Sequence, residues 1–344
     1  MAGKKLVMIF GCMIGLLVLA RVSGISLFIH QNKDRAYIQN AFEMFRDAEA
    51  TEKDPVMRRI EEEAAKRRIE PVDAIVDRVW KLIPGYNGIE VDIDKTYQLT
   101  RSKNGEGEIR FVYRAIPPKI KTDSLLPNPI YKGNPNKPMV SLMVNVAWGN
   151  EYIEPILRIM DDENVKATFF FDGSWLKKNI DTAKMIQERG HELENHAYSH
   201  KDMSKLSREQ AVQEIVKTKK LLEEELNVQN RWFAPPSGDF DMETVQIAHE
   251  LGLKTVLWTL DTVDWNNPSP ESVVQKISRH VEPGSLILMH PTKSSSQALL
   301  GMIREIKRKG YSLGTVSQTL SEERTPPDTL PPNLFPMVSS PNAG

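Results

Sequence analysis

Gly190-His-Glu-Leu-Glu-Asn-His-Ala-Tyr-Ser-His200 places two imidazoles, His196 and His200, four residues apart just after a short apolar-polar alternation. If a strand ends near Leu193 and the chain turns there into a loop or a first helical turn, both rings reach one divalent cation, as Zn²⁺ requires of neutral imidazoles. The other reading is a pair of exposed polar histidines on a loop, because His-x-x-x-His alone is a weak signal. The flanking sequence bears on the choice. Short β-branched or aromatic runs at Met139–Val146, Lys166–Phe171, around Leu193, Trp232–Ala234, Thr255–Leu257, Ser285–His290 and Ser312–Thr315 alternate with amphipathic stretches. Those stretches, Glu151–Glu163, Lys177–Arg189, Ser207–Asn227, Glu243–Leu251, Pro270–Val281 and Ser295–Arg308, carry helical spacing. Strand and helix in strict alternation imply an α/β barrel of seven units, and in such folds chemistry gathers at the C-terminal ends of strands. The polar residues that stand out fall there: His196, His200, Asp261 to Trp265 and His290.

Composition limits the remaining choices. The chain has 344 residues, 40% hydrophobic and 26% charged, with a formal net charge of −1. That is ordinary globular composition, and without a basic block it gives no footing for nucleic-acid binding. Cys12 is the single cysteine and lies in the N-terminal apolar run, so the rest of the chain has neither a disulfide nor a thiol nucleophile.

Residues 1–30 have the layout of an export signal or membrane anchor, with Lys4-Lys5 ahead of an apolar run from Leu6 to Ala20. Cleavage after Val18-Leu19-Ala20 and retention as a span extended to Ile29 both fit; the second keeps Arg21 within the span and is the one we favour. Either places the chain outside the cytoplasm, with the membrane as a partner in the second case. Residues 31–68 read as a charged helical stalk and residues 71–118 as a small α+β module. In that module Val72, Ile75, Val76, Val79, Trp80 and Leu82 form one helical face, followed by strands at Ile89–Ile93 and Ile109–Tyr113. A proline-rich linker follows over 119–138, then the barrel over 139–320, and a polar, proline-rich tail over 321–344 reads as disordered.

Ala167-Thr-Phe-Phe170, Asn195-His-x-x-x-His200, Phe233-Ala-Pro-Pro-Ser-Gly238, Asp261-Thr-Val-Asp-Trp265 and Leu286-Ile-Leu-Met-His290, in this order and spacing, resemble the polysaccharide deacetylase family, the NodB homology domain. The likeness runs from about Pro138 to Leu320, and the N-terminal arrangement resembles the YlxY-type branch of spore-forming bacteria. The resemblance implies a distorted (β/α)7 barrel. It also implies metal-dependent hydrolysis of N-acetyl groups on GlcNAc- or MurNAc-type sugars of cell-wall or spore glycan, in the envelope of a Gram-positive spore former. On that pattern His196 and His200 match the ligands of a Zn²⁺ or Co²⁺ ion. His290 matches the acid that protonates the leaving amine, and Asp261 and Asp264 match the acidic motif that orients this histidine.

The departures from the family pattern matter equally. Where the family strand ends Thr-Phe-Asp-Asp-Gly, this chain reads Asn145-Val-Ala-Trp-Gly149, so the general base is replaced by Ala147 and the metal carboxylate by Trp148. Where the family has Arg-Pro-Pro-Tyr-Gly, Ala234 removes the cation that positions the base. A general base is worth about 10²–10⁴ in rate, and a cation held by two imidazoles alone binds weakly or not at all. Asp172 superficially mimics the lost motif but reads more simply as a helix N-cap; Asn150 and Glu151 follow Gly149 closely and could supply oxygen ligands, though they also suit the start of the next helix. Two functions follow: a membrane-tethered deacetylase with a rearranged base, or a catalytically inactive barrel that binds glycan or a partner during spore envelope assembly.

Overall fold

The computed structural model describes residues 54–101 and 109–324. The export or anchor segment, the stalk before Asp54 and the tail beyond Arg324 lie outside the described residues. Among the described residues no helix is long and apolar enough to cross a membrane. The chain divides into two compact units. The first holds the helices Pro55–Arg67, up to its last residue, and Ile93–Arg101, where Asp54 accepts a hydrogen bond from Tyr97 (2.7 Å) and pairs with Arg101 (3.2 Å). The second runs from Arg67 to Asp92 and resumes at Tyr113.

Pro71 to Leu82 does not form the helical face its apolar spacing suggests. It contains a hairpin of β1 (Ile75–Asp77) and β2 (Lys81–Ile83). Asp77 explains the difference, because its Oδ1 accepts from the backbone N–H groups of Val79 and Trp80, both at 2.7 Å, and this turn competes directly with helix. The next two strands, β3 (Gly88–Val91) and β4 (Tyr113–Ile116), pair antiparallel, with the second starting at the residue where the sequence reading ended it.

The barrel is a parallel sheet. Its strands are β5 (Met139–Val146), β6 (Thr168–Phe171), β7 (Glu192–Asn195), β8 (Trp232–Phe233), β9 (Lys254–Thr255), β10 (Leu260–Asp261), β11 (Leu286–Met289) and β12 (Ser312–Gly314). Seven of them form a curled path in the order β10-β11-β5-β6-β7-β8-β9, and β12 pairs with the first half of β5. β6 pairs with the second half, Met143 to Val146. Since β11 spans Ser141 to Val144, β6 and β12 share the other edge of β5. β10 was not legible in the sequence.

β5 is covered on both faces, as parallel strands are. Val140, Leu142, Val144 and Val146 pack against helices such as Asn150–Asp162 and Lys293–Arg308, while Met143 faces inward with Phe170, Val256 and Ile130. Ile130 comes from the proline-rich stretch, which is packed into the sheet opening. Its N–H donates to Thr255 O (3.0 Å) and its carbonyl accepts from Leu257 N (2.8 Å); three residues on, Gly133 N reaches Gly284 O (2.8 Å). Glu322, just past the last helix, accepts from Thr122 N and Oγ1 (both 2.6 Å), and the Arg324 guanidinium lies 3.7 Å from the Tyr86 ring centre.

Candidate functional site

The loop after β7 is built to hold two rings. His196 N extends the ladder to Phe171 O (2.9 Å), after which Ala197 and His200 take left-handed backbone angles, φ 58° and 53°. Those angles are costly for residues with side chains, so other contacts must hold the loop. Glu214 does much of this from the helix Arg208–Leu226: its carboxylate accepts from Tyr198 N (3.1 Å), Ser199 N (2.7 Å) and Ser199 Oγ (2.7 Å). Thr218 Oγ1 caps Ala197 O at 2.6 Å. The rings of His196 and His200 end 5.2 Å apart, centre to centre. Two imidazoles bound tetrahedrally at about 2.0–2.1 Å to one cation would stand roughly that far apart.

His196 is 1% exposed, and its Nδ1 faces Ala234 O at 2.7 Å. A carbonyl only accepts, so Nδ1 carries the proton and Nε2 keeps its lone pair. Burial, with His200 and His290 adding to it, brings the His196 pKa down to about 3, so the ring stays neutral at physiological pH.

His290, at the end of β11, is fixed by Asp264. The carboxylate accepts from His290 N (2.6 Å) and from Nδ1 (2.8 Å), and also from Thr292 Oγ1 (3.3 Å) and Ser295 Oγ. Burial alone would push the Asp264 carboxyl up; the hydrogen bonds from His290 and Ser295 outweigh it and hold the group below the usual carboxylate range. Asp261 lines the same cavity, but its Oδ1 turns to its own loop, accepting from Val263 N at 2.7 Å. Of the two candidate aspartates, only Asp264 contacts the histidine.

Trp148 stands between these two groups. Its ring stacks on His290 at 5.3 Å and 15°, and meets His200 edge-on at 6.5 Å and 69°. The placement follows from Gly149, whose φ is 82° and on which a Cβ would lie 1.9 Å from Pro291 O. The loop after β5 is therefore pressed, backbone on backbone, against the loop after β11. His196, His200, His290, Trp148, Trp258 and Trp265 line one cavity of about 290 Å³, together with Asn145, Ser237, Asp261 and Leu288. A larger cavity, about 410 Å³, lies at the opposite ends of the strands beside Trp232 and Lys254 and contains no histidine.

The residues present do not fit a metal site with three protein ligands. Among the described residues no group of three His, Cys, Asp or Glu side chains converges. The candidate substitutes are otherwise engaged: Asp172 Oδ1 caps the helix Gly173–Leu176 through Trp175 N (2.9 Å), and Asn150 Oδ1 accepts from Trp175 Nε1 (2.7 Å). Glu151 lies in the first turn of the helix Asn150–Asp162 and does not line the cavity. Sequence reasoning assigned no role to Asn145, Trp258 or Ser237; their positions at or beyond strand ends were the available signal.

Residues 132–256 match the family described as Polysaccharide deacetylase. A peptidoglycan-N-acetylglucosamine deacetylase of Bacillus cereus is 31% identical over 56% of this chain and 74% of its own length. This chain belongs to the polysaccharide deacetylase family. Within that family it is 43% identical to the uncharacterized protein YlxY of Bacillus subtilis, over 79% of this chain and 85% of that one. It is also similar to a crystal structure of a CE4 family pseudoenzyme from Bacillus anthracis, with 40% identity, a TM-score of 0.72, and coverage of 79% of this chain and 97% of the other. A mutant of that pseudoenzyme, described as having restored enzymatic activity, matches with the same TM-score. The polysaccharide deacetylase barrel accounts for β5 to β12 and the two-histidine loop.

Proposed function

We propose that this chain is a deacetylase-family barrel that holds N-acetylated cell-wall glycan, of GlcNAc or MurNAc type, without hydrolysing its amide. The observation that carries the reading is the Trp148 ring lying between His200 and His290. Amide hydrolysis in this setting needs a metal-polarised water and a base to take its proton. Ala147 offers no base and Trp148 no ligand, so the acid half, His290 on Asp264, has no attacking water to work with. The same substitution adds an aromatic face, and with Trp258 and Trp265 it gives the cavity indoles on which pyranose rings stack. The similarity to a protein described as a pseudoenzyme supports this reading. Peptidoglycan deacetylases among the relatives support an extracytoplasmic site of action. Tethering through Leu6 to Ile29 in the envelope of a spore former is part of the same proposal.

A second reading, a Zn²⁺- or Co²⁺-dependent deacetylase with a rearranged base, draws on the spacing of His196 and His200 and on the intact His290–Asp264 pair. Acetate release from acetylated chito-oligosaccharides or peptidoglycan separates the two. We expect none from the wild type and measurable, Zn²⁺-dependent release from the Ala147→Asp, Trp148→Asp double variant. Zinc-dependent turnover by the wild type, abolished by His200→Ala, would overturn the silent-barrel reading.

A further inference from the structure

We propose that Asn145 reads the acetamido group of a sugar in this cavity, so that the barrel distinguishes acetylated from deacetylated glycan. This rests on the glycan-binding reading above. Asn145 lies one residue before the end of β5 and, by strand alternation, faces inward on the same side as Met143. It is 3% exposed, lines the cavity, and its Oδ1 is buried with no hydrogen-bond partner. An orphaned buried carbonyl costs stability, and folds rarely keep one without a use for it.

Three of the neighbouring polar atoms are already paired. His196 Nδ1 donates to Ala234 O, His290 Nδ1 to Asp264, and Asp261 accepts from Val263. The comparison with Asn195, at the end of β7, is sharper. There Nδ2 donates to Ile215 O (3.0 Å) and Asn230 Oδ1 (3.1 Å), while Oδ1 accepts from Ala197 N (2.9 Å). One strand-end asparagine is a structural clasp; the other lines the cavity with its Oδ1 unpaired.

A carboxamide offers two donors and an acceptor in one plane and can turn over to suit its partner. An acetamido group supplies a matching N–H and C=O. An ammonium group only donates, so it leaves the Asn145 Nδ2 donors without an acceptor. Leu288 and Trp258, which line the same cavity, give the acetyl methyl an apolar surface that a hydroxyl would leave unfilled.

The test compares three tetrasaccharides that differ at C2, chitotetraose (acetamido), its fully deacetylated form (amine) and cellotetraose (hydroxyl), titrated by calorimetry into the full chain. The wild type should bind chitotetraose about tenfold more tightly than the other two, the order of one well-placed hydrogen bond. Asn145→Leu removes the orphan at similar volume, so it should melt no lower than wild type and lose the preference. Asn145→Asp keeps the shape but supplies only an acceptor, and should favour the amino sugar. Retained preference for chitotetraose in both variants, or equal affinity of the wild type for chitotetraose and cellotetraose, refutes the role of Asn145 and leaves glycan binding standing. No binding of any of the three by the wild type defeats the glycan-binding reading and this proposal together.

Discussion

Removing the Asp264 carboxylate should destabilise the barrel far more than removing Asp261, although the two sit in one Asp-x-x-Asp motif. Asp264 is 1% exposed and accepts from His290 N, His290 Nδ1, Thr292 Oγ1 and Ser295 Oγ. In Asp264→Ala the two hydroxyls can rotate, but the two His290 donors are fixed and lose their acceptor in a buried site. At about 1–3 kcal/mol for each buried orphan, the cost is about 3–5 kcal/mol, in line with breaking one member of a buried charged network. For a body of this size about 2–4 °C of Tm accompanies each kcal/mol, so a fall of roughly 6–20 °C is expected by calorimetry. Asp261→Ala gives up one hydrogen bond at a partly exposed turn, and should cost about 1 kcal/mol or less. The pH dependence provides a second check. The Asp264 pKa is lowered on folding, so its stabilisation is present above the unfolded value, about 3.9, and is lost as pH falls through the folded value. Asp264→Asn should flatten the acid limb of the stability curve. If Asp264→Ala melts within a few degrees of wild type, or no further below it than Asp261→Ala, the claim that this carboxylate organises the His290 loop is wrong.

Burial lowers the pKa of His196 to about 3 and that of His191 to about 4. Their contribution is therefore intact above the unfolded value near 6.5 and should decline by about 1.4 kcal/mol per histidine per pH unit below it; a urea midpoint unchanged between pH 7.5 and 5 would count against this. Zn²⁺ titration should show weak binding that His200→Ala abolishes, tightened about tenfold or more by Trp148→Asp as a carboxylate joins the two imidazoles. No gain in Trp148→Asp would mean the indole is not occupying the ligand position. Gly149→Ala, driven against Pro291 O at a left-handed φ, should cost about 2–4 kcal/mol in chemical denaturation. Gly252→Ala, with φ 78° and nothing within 4 Å of the added carbon, should cost only about 1–2 kcal/mol; equal losses would remove the steric argument.

The alternation of β-branched runs with helical spacing was readable because each element buries residues at its own period. Met139–Val146 was placed to the residue, and the helix expected over Pro270–Val281 ends at His280. β10, at Leu260–Asp261, is two residues long and follows the Thr255–Leu257 run with only Trp258 and Thr259 between, so no break in the sequence sets it apart. Pro71 to Leu82 failed for a different reason: its apolar residues satisfy helical spacing, but the outcome rests on the Asp77 side chain capturing two backbone N–H groups. In the site, motif order pointed to His196, His200 and His290, which the fold brings to one cavity. It could not separate Asp261 from Asp264, since which carboxylate reaches His290 depends on the turn at Val263, itself left-handed at φ 56°. Asn145 was passed over because an inward strand position reads as core unless its hydrogen bonds can be counted.

The contact between Gly149 and Pro291 has one further consequence. In many metalloproteins the ion gathers its own ligands, and the emptied site relaxes; here two loops are locked by main-chain packing that involves neither His196 nor His200. The shape of the cleft and the ability to do chemistry in it are thus set by different parts of the molecule. On the reading proposed above, a lineage can lose turnover through residues 147, 148 and 234 while the cleft persists for recognition, and regaining turnover would require new side chains on an existing frame.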